Sequence, residues 1–327
     1  MHLTALESFA GKMNRLASEG QAFLFLFDFE LEKPFLCPLD QAAEKGVFYS
    51  VNGNTNLQNE QNTRLPVMGD VQPVFFECYA NAFFCVRKHL EQGETYLLNL
   101  TFPTKISLSC TLAEVFTASQ AKYKLLFQDE FTLFSPECFV RIQDGHIYSY
   151  PMKGTINAAI PDAAKKVLED KKEEYEHNTI VDLIRNDLSI VAEHVTVPRF
   201  RYIDELSTSK GRILQVSSEV RGRLPQNWKN KLGDILVTLL PAGSVSGAPK
   251  KRTCRIIRNA EGVPRGYYTG VFGLFDGNTL DSGVNIRYIE KTQEGFCYRS
   301  GGGITALSSC MEEYNELIQK VYIPGRQ

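Results

Sequence analysis

Lys153 sits in YPMKGT, between a β-like run and a loop of small residues, where an amine could serve as a nucleophile or as a charge partner. Taken alone it reads as a surface lysine closing a turn, as most lysines are exposed. Carboxylates give a second signal. Along the helical pattern from about Asp162 to Ala192, Glu173 and Glu176 share the stripe of Ile180, Leu183 and Ile184, the face such a helix buries. Glu313 and Glu316 repeat the arrangement beside Leu317, Ile318 and Val321, with Lys320 four residues beyond Glu316. An inward carboxylate needs a cation, an arginine or a proton, because leaving it unpaired is costly. Two such pairs on separate helices could converge on one divalent ion, and oxygen ligands favour Mg²⁺ over zinc. The plainer alternative is solvated acids paired with lysines one turn away.

Two loops, PAGSVSGAPK and SGGGIT, place small residues just before helices, where free amides and the helix dipole attract a carboxylate or phosphate. Tight turns needing positive φ are the competing explanation. Neither loop matches a nucleotide-binding motif in its strand-to-helix context. Arg287 in VNIRYI and Tyr268 in RGYYTG lie in β runs close to them in sequence. A guanidinium suits bidentate carboxylate recognition; sheet-face ion pairing is its ordinary alternative.

These residues need a scaffold to bring them together. The 327 residues are 43% hydrophobic and 23% charged, with a formal net charge of −2 and dispersed basic residues, which argues for a globular chain and against nucleic-acid binding. No apolar run approaches a membrane span and the start lacks a leader-like apolar segment, so a cytoplasmic protein away from membranes is expected. Eight cysteines without zinc-ligand spacing read as mostly buried, reduced thiols. Without a linker or repeat, residues 1–327 read as one domain of two intertwined lobes. Periodicity predicts helices at about 3–18, 76–92, 111–126, 162–192 (with a break near Pro161) and 230–240. It predicts a last helix opened by Ser309 and Glu312 at capping-box spacing and a first-turn Pro249 in another. Phe23, Phe25, Phe27 and Phe29 fall on one face of a strand, and Asp144-Gly145 and Asp276-Gly277 mark hairpins. Hairpin strands with helices grouped between them give an α+β fold with large antiparallel sheets.

The segments GETYLLNLT, FSPECFV, YPMKGT, KEEYEHNTIVDLIRNDLS, VSSEVRGRL, LPAGSVSGAPK, RGYYTGVFGLFDG, SGVNIR and GGGITALSSCMEEYNE, in that order over about 75–323, resemble the chorismate-utilising enzymes. Within them the resemblance is to component I of aminodeoxychorismate synthase. It implies two stacked lobes with outer helices, an active site between them, one Mg²⁺ and chorismate as substrate. Residue by residue it makes Glu176 and Glu316 metal ligands, with Glu173 and Glu313 beside them directly or through water, the ion holding the ring carboxylate. Gly301, Gly302, Gly303, Ser246 and Gly247 would line the pocket. Tyr268 and Arg287 would grip the enolpyruvyl carboxylate, and Lys320, Thr155 and Gln215 would contact substrate. Glu137 matches the general acid that protonates the departing 4-hydroxyl.

Lys153 matches the lysine of the aminodeoxychorismate synthases, where anthranilate synthases carry alanine. Its amine would add at C2 as the hydroxyl leaves, and ammonia would then enter at C4 and expel it. The product would be 4-amino-4-deoxychorismate, on the route to para-aminobenzoate and folate. That step needs a neutral amine and hence a depressed lysine pKa. Gln215 replaces a histidine associated with pyruvate elimination, and Leu97 stands where relatives have glutamine or a water-activating lysine, which disfavours water attack. Residues 1–74 read as a shortened N-terminal part, and tryptophan regulation is not expected. Ammonia is expected from solution or from a separate glutamine amidotransferase subunit. Anthranilate synthase component I and a non-catalytic chorismate-binding or amidotransferase-scaffolding homologue are the alternatives.

Overall fold

The computed structural model describes residues 2–57, 68–208 and 211–325. Its helices are α1 (His2–Ser18), α2 (Phe76–Glu91), α3 (Leu112–Ala118), α4 (Ala163–Glu169), α5 (Lys171–Val191), α6 (Leu232–Leu239), α7 (Lys250–Glu261) and α8 (Cys310–Gln319). Between them lie two nine-stranded antiparallel sheets. The first runs Met152–Asn157, Gly211–Arg223, His146–Ser149, Cys138–Gln143, Leu280–Val284, Val271–Phe275, Phe23–Phe27, Phe35–Pro38, with Glu193–Thr208 also paired to Gly211–Arg223. The second runs Gly247–Ala248, Leu97–Leu108, Gly295–Ile304, Tyr288–Thr292, Phe131–Ser135, Tyr123–Phe127, Val47–Val51, Asn54–Thr55, with Met68–Gln72 on Leu97–Leu108. The α+β reading and its large antiparallel sheets hold.

The apolar residues explain the layering. Phe23, Phe25 and Phe27 pack under α1, α5 and α6, whereas Leu24 and Leu26 of the same strand turn toward Leu125, Phe131 and Leu133 of the second sheet. The strand is therefore apolar on both faces, as a strand covered on both sides must be. Phe29 leaves the face expected for it: the strand ends at Phe27, and Phe29 joins the cluster formed with α2, α7 and α8. Full burial of each such side chain contributes about 1.5–3 kcal/mol.

Four expectations about elements change. The run predicted as a helix over 111–126 stops at Ala118, and Tyr123–Phe127 becomes a strand. That segment is buried throughout and pairs on both sides, so sheet formation overrides its helical periodicity. The capping box occurs at Thr111 and Glu114 of α3, while Ser309 occupies the N-cap of α8 without a side-chain capping bond. The 162–192 pattern breaks at Asp170, which caps α5 by accepting a hydrogen bond from the Glu173 N–H at 3.0 Å. Pro249 is the N-cap residue of α7, one position before its first turn. Among the cysteines, Cys37 and Cys297 are buried, but Cys78 and Cys85 stand exposed on α2. No described helix is long and apolar enough to cross a membrane.

A buried ion pair ties the second sheet to the loop before α7. Arg265 and Glu261 have side chains 1% and 2% exposed and meet through two hydrogen bonds, of 2.8 and 2.6 Å. The carboxylate also accepts from the Thr101 N–H, and the guanidinium donates to the carbonyls of Val245 and Asn99. Removing one partner leaves a buried, uncompensated charge. Glu261→Ala should therefore lower the unfolding free energy in urea by about 3–5 kcal/mol; a loss of only a few tenths would contradict this.

Candidate active site

A cavity of about 250 Å³ opens between the sheets and is lined by groups from both. Lys153, Glu176 and Gln215 come from one side, and Leu97, Gly301, Gly303 and Lys320 from the other. Glu137, Tyr268 and Arg287 complete the predicted residues on its wall. Thr155 is exposed, opposite Gln215 in the strand pairing, and does not line the cavity.

Lys153 reaches the cavity because its strand bulges. Met152 pairs with Ser217 and Thr155 with Gln215, so Lys153 and Gly154 together face Val216. Such a bulge re-aims a side chain. Gly154 has φ +90°, a backbone conformation that L side chains rarely adopt, so glycine permits the bulge. Lys153 Nζ lies 2.7 Å from Glu176 Oε2. Burial disfavours the ammonium, but the Glu176 carboxylate outweighs it and the lysine pKa is raised. This is opposite to the depressed value the covalent step requires.

Of the four acids, one on α5 and one on α8 are buried, on the apolar stripes of those helices. Glu176 is 7% exposed and Glu313 5%. Glu173 and Glu313 are both pushed up, first by burial, and the neighbouring acids Glu176 and Glu316 add to this. Glu316 is pulled down against burial by Lys320, 2.6 Å away. Lys153 acts electrostatically on Glu173, Glu313 and Glu316 alike, which places both pairs around one amine. Gly302 lies behind them, where a Cβ would come within 3.3 Å of Glu313 Oε2 and 3.6 Å of Glu316 Oε1. Lys320 also donates to the Gly301 carbonyl at 2.8 Å.

As placed, no three of the described histidine, cysteine and acidic side chains converge tightly enough to hold a metal ion. The two lysines take the carboxylates instead. The donor set nevertheless suits a hard cation: four carboxylates gather around two ammoniums, and Glu173 Oε2 is buried without a hydrogen-bond partner.

Glu137 follows the strand Phe131–Ser135, and its carboxyl accepts a short hydrogen bond from the Ser244 hydroxyl. Burial raises its pKa, with Ser244, Lys320 and Arg287 opposing less strongly, so the group is disposed to carry a proton. Ser244 and Val245 face the cavity. Ser246 is 1% exposed and its hydroxyl donates to the Ala242 carbonyl, so it supports the wall from behind. Gly247 has φ +140°, and a Cβ there would strike the Leu97 carbonyl at 1.9 Å; glycine is what allows Gly247–Ala248 to pair with Leu97–Leu98. Arg287 holds φ +54°, a strained conformation for a non-glycine residue and one concentrated at functional sites.

Sequence reading did not single out Ser244, His177 or Asn99. Ser244 lay within the quoted glycine-rich loop, but nothing in its spacing told it from Ser246. His177 is fully buried beside Glu176, and its pKa is lowered to about 4, chiefly by burial and then by Arg201.

The chorismate binding enzyme family matches residues 11–324. A relative from Haemophilus influenzae, described as an uncharacterized PabA-like protein, is 51% identical over 324 residues, 99% of this chain and 98% of that one. A putative aminodeoxychorismate synthase of Schizosaccharomyces pombe is 30% identical over 90% of this chain and 44% of its own length. Among solved structures, a putative 2,3-dihydroxybenzoate-specific isochorismate synthase from Bacillus anthracis superposes with a TM-score of 0.72 at 18% identity, covering 97% of this chain and 87% of that one, a likeness of fold. With one family spanning nearly the whole chain and a cavity built from its two sheets, the protein belongs to the chorismate-binding enzymes.

Proposed function

We propose that the protein aminates chorismate, replacing the 4-hydroxyl by an amino group to give 4-amino-4-deoxychorismate and water. The observation that carries this reading is the presence on the wall of one cavity of Lys153 and of Glu137, whose carboxyl pKa burial raises. Glu137 gives its proton to the departing 4-hydroxyl, which leaves as water. The Lys153 amine adds at C2 as that bond breaks, and ammonia entering at C4 then expels the amine, so the lysine is regenerated. In the free protein Glu176 holds Lys153 as an ammonium, so this pair must part before the covalent step.

Arg287 and Tyr268 bind the enolpyruvyl carboxylate, and Lys320 with the Gly301–Gly303 strand borders the ring. Mg²⁺ on Glu176 and Glu316, with Glu173 and Glu313 beside them, would supply the positive charge that holds the ring carboxylate. Leu97 offers no base to activate water. Ammonia would come from solution or from a separate glutamine amidotransferase subunit.

The test is to incubate the purified chain with chorismate, Mg²⁺ and ammonium and to identify products by mass. Aminodeoxychorismate without free pyruvate is expected. Anthranilate with pyruvate would replace this reading by anthranilate synthesis, and unchanged chorismate would leave a binding or scaffolding protein.

A further inference from the structure

The Lys153 bulge interrupts the sheet at the cavity wall, and a nucleophile must be held to within a fraction of an ångström. A bulge takes main-chain groups out of the regular ladder, so something outside the sheet must fix it. His177 is placed to do so. It follows Glu176 on α5, is fully buried, and its Nε2 lies 2.6 Å from the Ser218 hydroxyl. Ser218 belongs to the strand opposite the bulge, and its N–H donates to the Pro151 carbonyl at 2.9 Å.

One tautomer fits the hydrogen bonds. Ser218 Oγ accepts the Arg201 N–H at 2.9 Å and keeps its own proton, which it can donate to His177 Nε2. A neutral imidazole that accepts at Nε2 carries its proton on Nδ1. The Lys153 main chain acts on the ring as a hydrogen-bond acceptor does, favouring its protonation, while Nδ1 is buried without a hydrogen-bond partner. Consecutive residues of α5 thus face the two parts of one lysine, Glu176 its amine and His177 its backbone.

We propose that His177 is a positioning residue which, anchored by Ser218, offers its Nδ1–H to the Lys153 carbonyl and fixes where the Lys153 amine stands. Its role in catalysis rests on the amination reading; its hold on Lys153 does not.

The test uses the full chain and two readouts. His177→Phe keeps the ring volume without a donor, and His177→Asn keeps a donor near the Nδ1 position. His177→Phe should lower kcat for ammonium-dependent amination by about 100-fold, the scale of a small misplacement, with the KM for chorismate little changed. His177→Asn should recover most of that loss. The second readout is trace acetylation of Lys153 relative to the exposed lysines, mapped by mass spectrometry, which should shift in His177→Phe and return toward wild type in His177→Asn. If His177→Phe does not fold, Ser218→Ala loosens the anchor and should shift the same labelling. Unchanged Lys153 labelling in a folded His177→Phe or Ser218→Ala protein would overturn the proposal. A labelling shift in a protein that never aminates chorismate would sink the function and leave the positioning intact.

Discussion

Lys153→Ala is expected to lower the rate of chorismate amination by on the order of 10³-fold, the scale on which removing a group that acts directly in the chemical step is felt. The loss should fall mainly on kcat, because in the proposed mechanism the side chain acts on the reacting ring, and the bulge that carries it is set by main-chain pairing. Part of any effect will be electrostatic, since Lys153 is the ammonium shared by carboxylates of α5 and α8. Lys153→Arg separates the two roles: it keeps a positive charge but cannot form the adduct. Both variants should be inactive if the amine bonds to the ring. An arginine variant that turns over near the wild-type rate would reduce Lys153 to a charge carrier and remove the covalent intermediate from the mechanism.

Removal of divalent ions is expected to have an effect of similar size. With excess EDTA, turnover should fall to background and return when Mg²⁺ is restored, while the protein stays folded, because Glu176 and Glu316 already have lysine partners without a metal. The physical ground is charge. Glu173, Glu176, Glu313 and Glu316 bring up to four negative charges to or beside the cavity, Lys153 and Lys320 offset only part of them, and the proposed substrate is itself an anion. Glu176→Gln should raise the Mg²⁺ concentration needed for half-maximal rate. Undiminished turnover in excess EDTA would contradict the assignment of these acids.

Most of the scaffold was legible because its signals are local. Apolar periodicity placed α1, α2, α5 and α8, and the Asp144-Gly145 and Asp276-Gly277 pairs marked two hairpins. The segment Tyr123–Phe127 was not legible, since its pattern continues that of the helix before it and only its two neighbouring strands decide what it becomes. Asp170 was equally silent as a helix start, because the run on either side of it keeps a helical pattern.

What the sequence determined by itself was the supply of chemistry: inward acids on two helices, a lysine between a β run and a small-residue loop, and an order of segments that resembles one family. What only the tertiary structure decided was which of these groups meet. The bulge at Lys153 and Gly154 exists only against the strand Gly211–Arg223, and it turns the amine onto Glu176. The same contact raises the lysine pKa where sequence reasoning asked for a lowered one, because a pKa answers to neighbours and burial that no spacing reveals. Ser244 rather than Ser246 reaches Glu137, and His177 backs the bulge, for the same reason. Side-chain direction in a loop or behind a sheet is fixed by packing between segments far apart in the chain.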